Sequence, residues 1–199
     1  MTTAQPAAPS PANAEHPHGG YNLTGFIIFL CSESIIFLAF FAGFTVLKIS
    51  SPIWLPEGVE GLEVRMPLIN TIILVSSSLV AVVAEKALHR RALWEFRGWW
   101  LLTMLMGAYF VYGQYVEWTG LAFGLGSGVF GSTFYLLTGF HGLHVITGIL
   151  LMGLMLLRSF RPGNYNGGEA GVASVSLFWH FVDVIWIILF LLIYVWQRH

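Results

Sequence analysis

Five ionisable side chains stand inside apolar runs of this sequence, and their types and spacing define the chemistry open to it. His141 and His144 lie three residues apart in TGFHGLHVITG, His180 and Asp183 three apart in WHFVDV, and Glu33 interrupts FLCSESIIFLAFF. Residues at that spacing share a helix face. An ionisable group at mid-bilayer costs about 2.5–3.5 kcal/mol on insertion scales, so each calls for a partner. Three chemistries are open. His141 or His144 facing His180 would make a pair of axial haem ligands. Glu33 and the histidines would make a proton path. Alternatively, the five groups satisfy one another across helices and hold a bundle together. In that case Asp183, one turn from His180, accepts its N–H or fixes its tautomer. Removing either partner leaves the other unmet, at roughly 1–3 kcal/mol. Glu33 is expected as the neutral acid unless a histidine pairs with it.

The elements that position these groups follow from the apolar runs. The chain has 199 residues, 56% of them hydrophobic and 10% charged. A soluble domain of this size cannot hide so much apolar surface, so the expected solvent is lipid. A helix needs about 20 apolar residues to cross the hydrocarbon. Five runs meet that requirement. They predict an all-α integral membrane protein, a bundle of five transmembrane helices near 22–47, 66–86, 98–117, 130–157 and 172–196. The glycine-rich GLAFGLGSG before the fourth run reads as a loop. The Pro- and Ala-rich segment 1–20 has neither the basic start nor the apolar centre of a signal peptide. It reads as a disordered tail, leaving 21–199 as one transmembrane domain.

Orientation follows from Lys and Arg. Lys86, Arg90, Arg91, Arg97, Arg158 and Arg161 fall on the side of the N-terminal tail, and Lys48, Arg65 and Arg198 on the other. The N-terminus is therefore expected in the cytoplasm and the C-terminus outside. Trp94, Trp99 and Trp100 mark the inner interface, and Trp54, Trp118 and Trp196 the outer one. Counting at roughly 1.5 Å per residue puts all five ionisable groups in one layer near mid-bilayer. They come from helices 1, 4 and 5, which are expected to meet there.

Other residues have plainer roles. Glu117, with Gln114 one turn before it, reads as an interface residue at the outer end of helix 3. Glu169 precedes helix 5, where a negative charge suits the helix dipole. Thr138 with Gly142, and Ser77 with Ala81, are small-residue pairs that let helices approach closely. Cys31 reads as a small membrane-core residue, and a lone cysteine excludes an intrachain disulfide. The net charge of −1 gives no basic footprint for nucleic acid.

Longer motifs point to a family. SLFWHFVDVIWIILFLLIYVW, residues 176–196, resembles the last helix of subunit III of haem–copper respiratory oxidases. YLLTGFHGLHVITG, residues 135–148, resembles the helix before it. FLCSESIIFLAFF, residues 29–41, resembles that subunit's Ser-Glu helix, and YGQYVEW, residues 112–118, the end of its next-but-one helix. Order and spacing agree across residues 20–197. Many members have seven helices, and five resemble the shorter bacterial, cyanobacterial-like form. Without the first two helices, one wall of the family's lipid cleft is absent.

The resemblance implies a non-catalytic subunit of a proton-pumping cytochrome c oxidase, with haem and copper in partner subunits I and II and no metal of its own. Such a subunit packs on subunit I, supports proton uptake and the stability of the active site, and binds phospholipid. Glu33 matches the family's carbodiimide-reactive carboxyl, and His141, His144, His180 and Asp183 match its helix-core polar residues. Gln114, Glu117, Arg158, Glu169 and Trp179 are candidates for interface or lipid contact. A subunit of a quinol oxidase, a nitric-oxide-reductase accessory protein and a haem-binding membrane cytochrome stay open as alternatives. The expected location is the bacterial plasma membrane, or the thylakoid membrane in a photosynthetic source.

Overall fold

Each apolar run forms a helix, and each helix continues past the run that predicts it. The structure, a computed structural model, describes residues 18–55, 61–161, 163, 165 and 169–196. Helix α1 spans His18–Ser50, α2 Arg65–His89, α3 Leu93–Gly120, α4 Gly128–Ser159 and α5 Ala170–Phe190. A π-helical turn over Leu191–Val195 carries α5 to its end. No strand occurs among the described residues. The overrun has a physical cause. Near lipid the backbone must satisfy its own polar groups, so hydrogen bonding persists into the headgroup zone. α1 starts at His18, inside the segment read as a tail. The rest of that segment, 1–17, lies outside the described residues.

Four helices are long and apolar enough to cross a membrane: α1 from Leu23, α2, α4, and α5 through Val195. α3, with 28 residues, is long enough as well. Its Trp, Tyr and Gly residues make it less apolar, and it packs against α2 in the most extensive helix pair of the bundle. A tight turn sets that pair. Arg91 takes φ 62°, a left-handed conformation that suits a helix end. The N–H of Ala92 then reaches the carbonyl of Ala87 at 3.0 Å. The Arg91 guanidinium donates to the carbonyl of Tyr165 at 2.9 Å, tying this turn to the α4–α5 loop.

α5 is the centre of the bundle. Within its membrane window 56% is buried, against 17% for α1. It packs on α1, α2 and α4, and two tryptophans carry its inward face. Trp179 is fully buried. Its ring fills the space that side chains at Gly107 of α3 and Gly148 of α4 would need. Its indole N–H donates to Ser77 Oγ of α2 at 2.8 Å. Two turns on, Trp186 donates to Thr71 Oγ1 of α2 at 2.9 Å. Partners therefore descend α2 as they ascend α5, which makes the two helices antiparallel. Outward positions such as Ile35, Leu79, Leu136, Leu143, Leu150 and Leu154 are exposed and apolar, as lipid requires.

Candidate functional site

Glu33 of α1 and His144 of α4 meet with Oε2 3.2 Å from Nε2. The other ring nitrogen, Nδ1, lies 2.8 Å from the carbonyl oxygen of Phe140. A carbonyl only accepts, so Nδ1 carries a proton. Nε2 therefore either accepts from a neutral Glu33 or, in the imidazolium, donates to its carboxylate. The pair is uncharged overall in both states. Phe37 and Phe140, at ring-centroid distances of 5.0 and 4.7 Å, wall the imidazole. The histidine that pairs with Glu33 is thus His144.

His180 and Asp183 do not bond each other directly. Both reach Ser78 of α2. Ser78 Oγ donates to Asp183 Oδ2 and lies 2.8 Å from His180 Nδ1. On the far side of the ring, Nε2 is 3.5 Å from Ser176 Oγ. Asp183 Oδ1 has no hydrogen-bond partner.

His141 is fully buried, and neither ring nitrogen has a hydrogen-bond partner. Its ring stacks on Trp186 at 4.9 Å, with Phe110 edge-on at 5.8 Å. This corrects the expectation that the five groups satisfy one another: α1, α4 and α5 do pack together, but only Glu33 and His144 bond each other. They divide into a Glu33–His144 pair between α1 and α4, a Ser78–His180–Asp183 cluster between α2 and α5, and His141 among aromatic rings. Residues three apart on a helix differ in direction by about 60°. At the middle of a bundle that angle is enough to face different neighbours.

The remaining candidates are placed as follows. Gln114 is buried, and its Nε2 donates to Glu117 Oε2 at 3.2 Å. Tyr194 donates its hydroxyl to Glu117 Oε1 at 2.8 Å, so Glu117 turns into the bundle instead of lying flat on the membrane surface. A cavity of about 530 Å³ opens beside it, with Glu63, Tyr109, Tyr112 and Val116 among its walls. Glu169 occupies the N-cap position of α5 without a side-chain capping bond, and its Oε2 lies 2.5 Å from His89 Nδ1. Arg158 stands in the last turn of α4, where its charge acts on Tyr165.

Cys31 lies within the span of α1 and faces outward from the bundle. Three expectations are corrected here. Trp179 is a core wedge rather than a lipid contact. Trp100 is buried and donates to the carbonyl of Met152 at 3.0 Å. Close approach on α4 occurs at Gly148, whereas Gly142 has open space where a side chain would go. Ser77 and Ala81, by contrast, are fully buried as their pairing suggests.

The sequence reading missed Ser78, Thr71, Ser176 and Tyr194. A signal existed for the first of these. Ser76, Ser77 and Ser78 form a run of hydroxyls inside the apolar α2, and such residues hydrogen-bond across helices in lipid. Among the described residues no group of three or more His, Cys, Asp or Glu side chains is arranged to hold a metal ion. Both ring nitrogens of His144 and of His180 face protein atoms.

Comparison with known proteins adds to this geometry. The family model for cytochrome c oxidase subunit III matches residues 14–198. A protein of Thermostichus vulcanus named cytochrome c oxidase subunit 3 is 45% identical over 184 residues, covering 92% of this chain and 91% of that protein. Its namesake in Synechocystis sp. is 42% identical over 187 residues, covering 94% and 80%. The namesake in Yarrowia lipolytica is 35% identical over 183 residues, covering 89% and 68%.

Proposed function

The chain belongs to the cytochrome c oxidase subunit III family, and we propose that in the oxidase it packs against subunits I and II as a subunit without redox cofactors. In this reading haem and copper sit in subunits I and II. Those subunits reduce oxygen to water and pump protons, while this chain supports proton uptake and the stability of the active site. The observation that carries the reading is the inward engagement of the histidines. His144 is committed to Glu33 and Phe140, and His180 to Ser78 and Ser176. These bonds knit α1 to α4 and α2 to α5, which is the work of a scaffold.

Glu33 is proposed as the carboxyl that hydrophobic carbodiimides modify. Phospholipid is proposed to cover the apolar outer faces, and Lys and Arg counts support a cytoplasmic N-terminus. The helices make this a multi-pass membrane protein. We assign it to the bacterial plasma membrane, with the thylakoid membrane as the alternative that the cyanobacterial relatives raise.

The test is an oxidase preparation made with and without this chain. Haem content per complex is expected to be unchanged without it, while activity decays faster during turnover. A loss of haem in proportion to loss of the chain would contradict the reading.

A further inference from the structure

A line of polar side chains follows the α2–α5 interface from the surface at the C-terminal end of α2 down to Asp183. It begins at His89 and Glu169, whose Nδ1 and Oε2 are 2.5 Å apart, with the His89 side chain 70% exposed. Glu85, one turn before His89, lines the same small cleft as that pair. Its carboxyl lies near enough to the Ser176 hydroxyl to be stabilised by it. Ser176 Oγ is 3.5 Å from His180 Nε2, and His180 Nδ1 is 2.8 Å from Ser78 Oγ. Ser78 Oγ then meets Asp183 Oδ2.

The donors in this line are ordered. Ser78 has one hydroxyl proton, and Asp183 receives it. With Asp183 ionised, His180 Nδ1 therefore donates to Ser78, and Nε2 of the neutral ring accepts. Ser176 can then donate to Nε2, and Glu85, when protonated, can donate to Ser176. With Glu85 protonated every link points toward Asp183, whereas with Glu85 ionised Ser176 turns its hydroxyl to that carboxylate. Beyond Asp183 the order stops, because the next contact along the interface is the indole N–H of Trp186 on Thr71. An indole N–H donates and does not accept. Among the described residues, Glu33, His144, His141, Glu117 and Tyr194 make no hydrogen bond to this line, since each bonds elsewhere or, for His141, to nothing.

We propose that the line is a one-sided proton path, through which Asp183 exchanges a proton with water at His89 and Glu169. In one passage Glu85 gives its proton to Ser176, and Ser176 gives its own to His180 Nε2. His180 releases the Nδ1 proton to Ser78, and Ser78 passes its proton to Asp183. Asp183 ends neutral and Glu85 anionic, with His180 in its other tautomer and both serines unchanged. Water at the cleft returns a proton to Glu85. The reverse sequence empties Asp183 to the same side, so the path buffers protons without conducting them across the membrane.

The experiment uses the full chain in lipid nanodiscs. Infrared difference spectra follow the Asp183 carboxyl after rapid acidification, with the band assigned by its absence in Asp183→Asn. Ser176→Ala removes one link and is expected to slow protonation of Asp183 by at least ~10-fold, with the same end point. Ser176→Thr keeps the hydroxyl and restores the rate. Ser174→Ala is the control, because Ser174 bonds back to Ala170 on its own helix, and it leaves the rate unchanged. A Ser176→Ala rate within about twofold of the parent overturns the proposal. Equal slowing by Ser174→Ala, or an Asp183 band that ignores bulk pH, overturns it too.

Discussion

The carboxyl of Glu33 and the imidazole of His144 join α1 to α4 at 3.2 Å, and α1 makes few other polar contacts with the bundle. Because Nδ1 of His144 is held as a donor by Phe140, the pair needs a single proton between the two facing atoms. Glu33→Gln supplies an N–H to Nε2 and is expected to be close to neutral in thermal unfolding. Glu33→Leu leaves Nε2 buried without a partner and should cost roughly 1–3 kcal/mol. The double variant with His144→Leu should cost less than the sum of the singles, because the two residues act as a unit. Additive costs would mean that the pair does not couple the helices. A hydrophobic carbodiimide should label the parent chain and leave Glu33→Gln unlabelled.

Trp179 is the wedge on which α2, α3, α4 and α5 converge. A Cβ added at Gly107 would lie 2.5 Å from its ring, and one at Gly148 2.8 Å. Gly107→Ala and Gly148→Ala should each destabilise the bundle by about 1–3 kcal/mol through overpacking. Gly142→Ala, on the same helix as Gly148 but facing open space, should leave thermal stability unchanged. A Gly142→Ala chain as unstable as Gly148→Ala would show that helix propensity, and not the Trp179 contact, governs these sites.

The loop before α4 depends on a close backbone approach. A Cβ at Gly131 would stand 2.4 Å from the carbonyl oxygen of Gly124, and backbone cannot yield as a side chain can. Gly131→Ala should therefore raise hydrogen exchange across residues 121–135. Gly126→Ala, with nothing near it, should exchange like the parent.

Outside the membrane, Tyr165 gives the fold a pH dependence. Burial raises its phenol above the usual 10.0, with the Arg158 charge opposing in part. Its hydroxyl donates to the carbonyl of Met155 at 2.6 Å. A raised folded-state pKa means stabilisation that is complete below the unfolded value near 10 and is lost as pH rises through the folded value. Thermal unfolding should thus fall off in alkali above that point. Tyr165→Phe should be less stable at neutral pH and lack the alkaline phase.

Much of the fold was legible in the sequence because lipid imposes a simple demand: long apolar runs must be helices. The five runs and the glycine-rich loop follow from that demand. Rotation about each helix axis was not legible. His141 and His144 look equivalent in the sequence, yet one faces Trp186 and the other Glu33, a difference fixed only by how α4 leans on its neighbours. The α2 hydroxyls were overlooked because serine carries no charge and blends into an apolar run. Their importance becomes visible only when α5 lies antiparallel to α2 and brings Trp179 to Ser77, and His180 and Asp183 to Ser78. Trp100 and Trp179 misled in the other direction, because an indole suits a membrane interface and a core seat equally well on composition.

The central claim is tested most directly by purifying native membranes in gentle detergent through a tag on this chain, then reading the visible spectrum and oxygen uptake of the eluate. The account predicts a haem–copper oxidase that oxidises cytochrome c, with all haem remaining on the other subunits when the complex is split. A chain that elutes alone with haem bands of its own would contradict it.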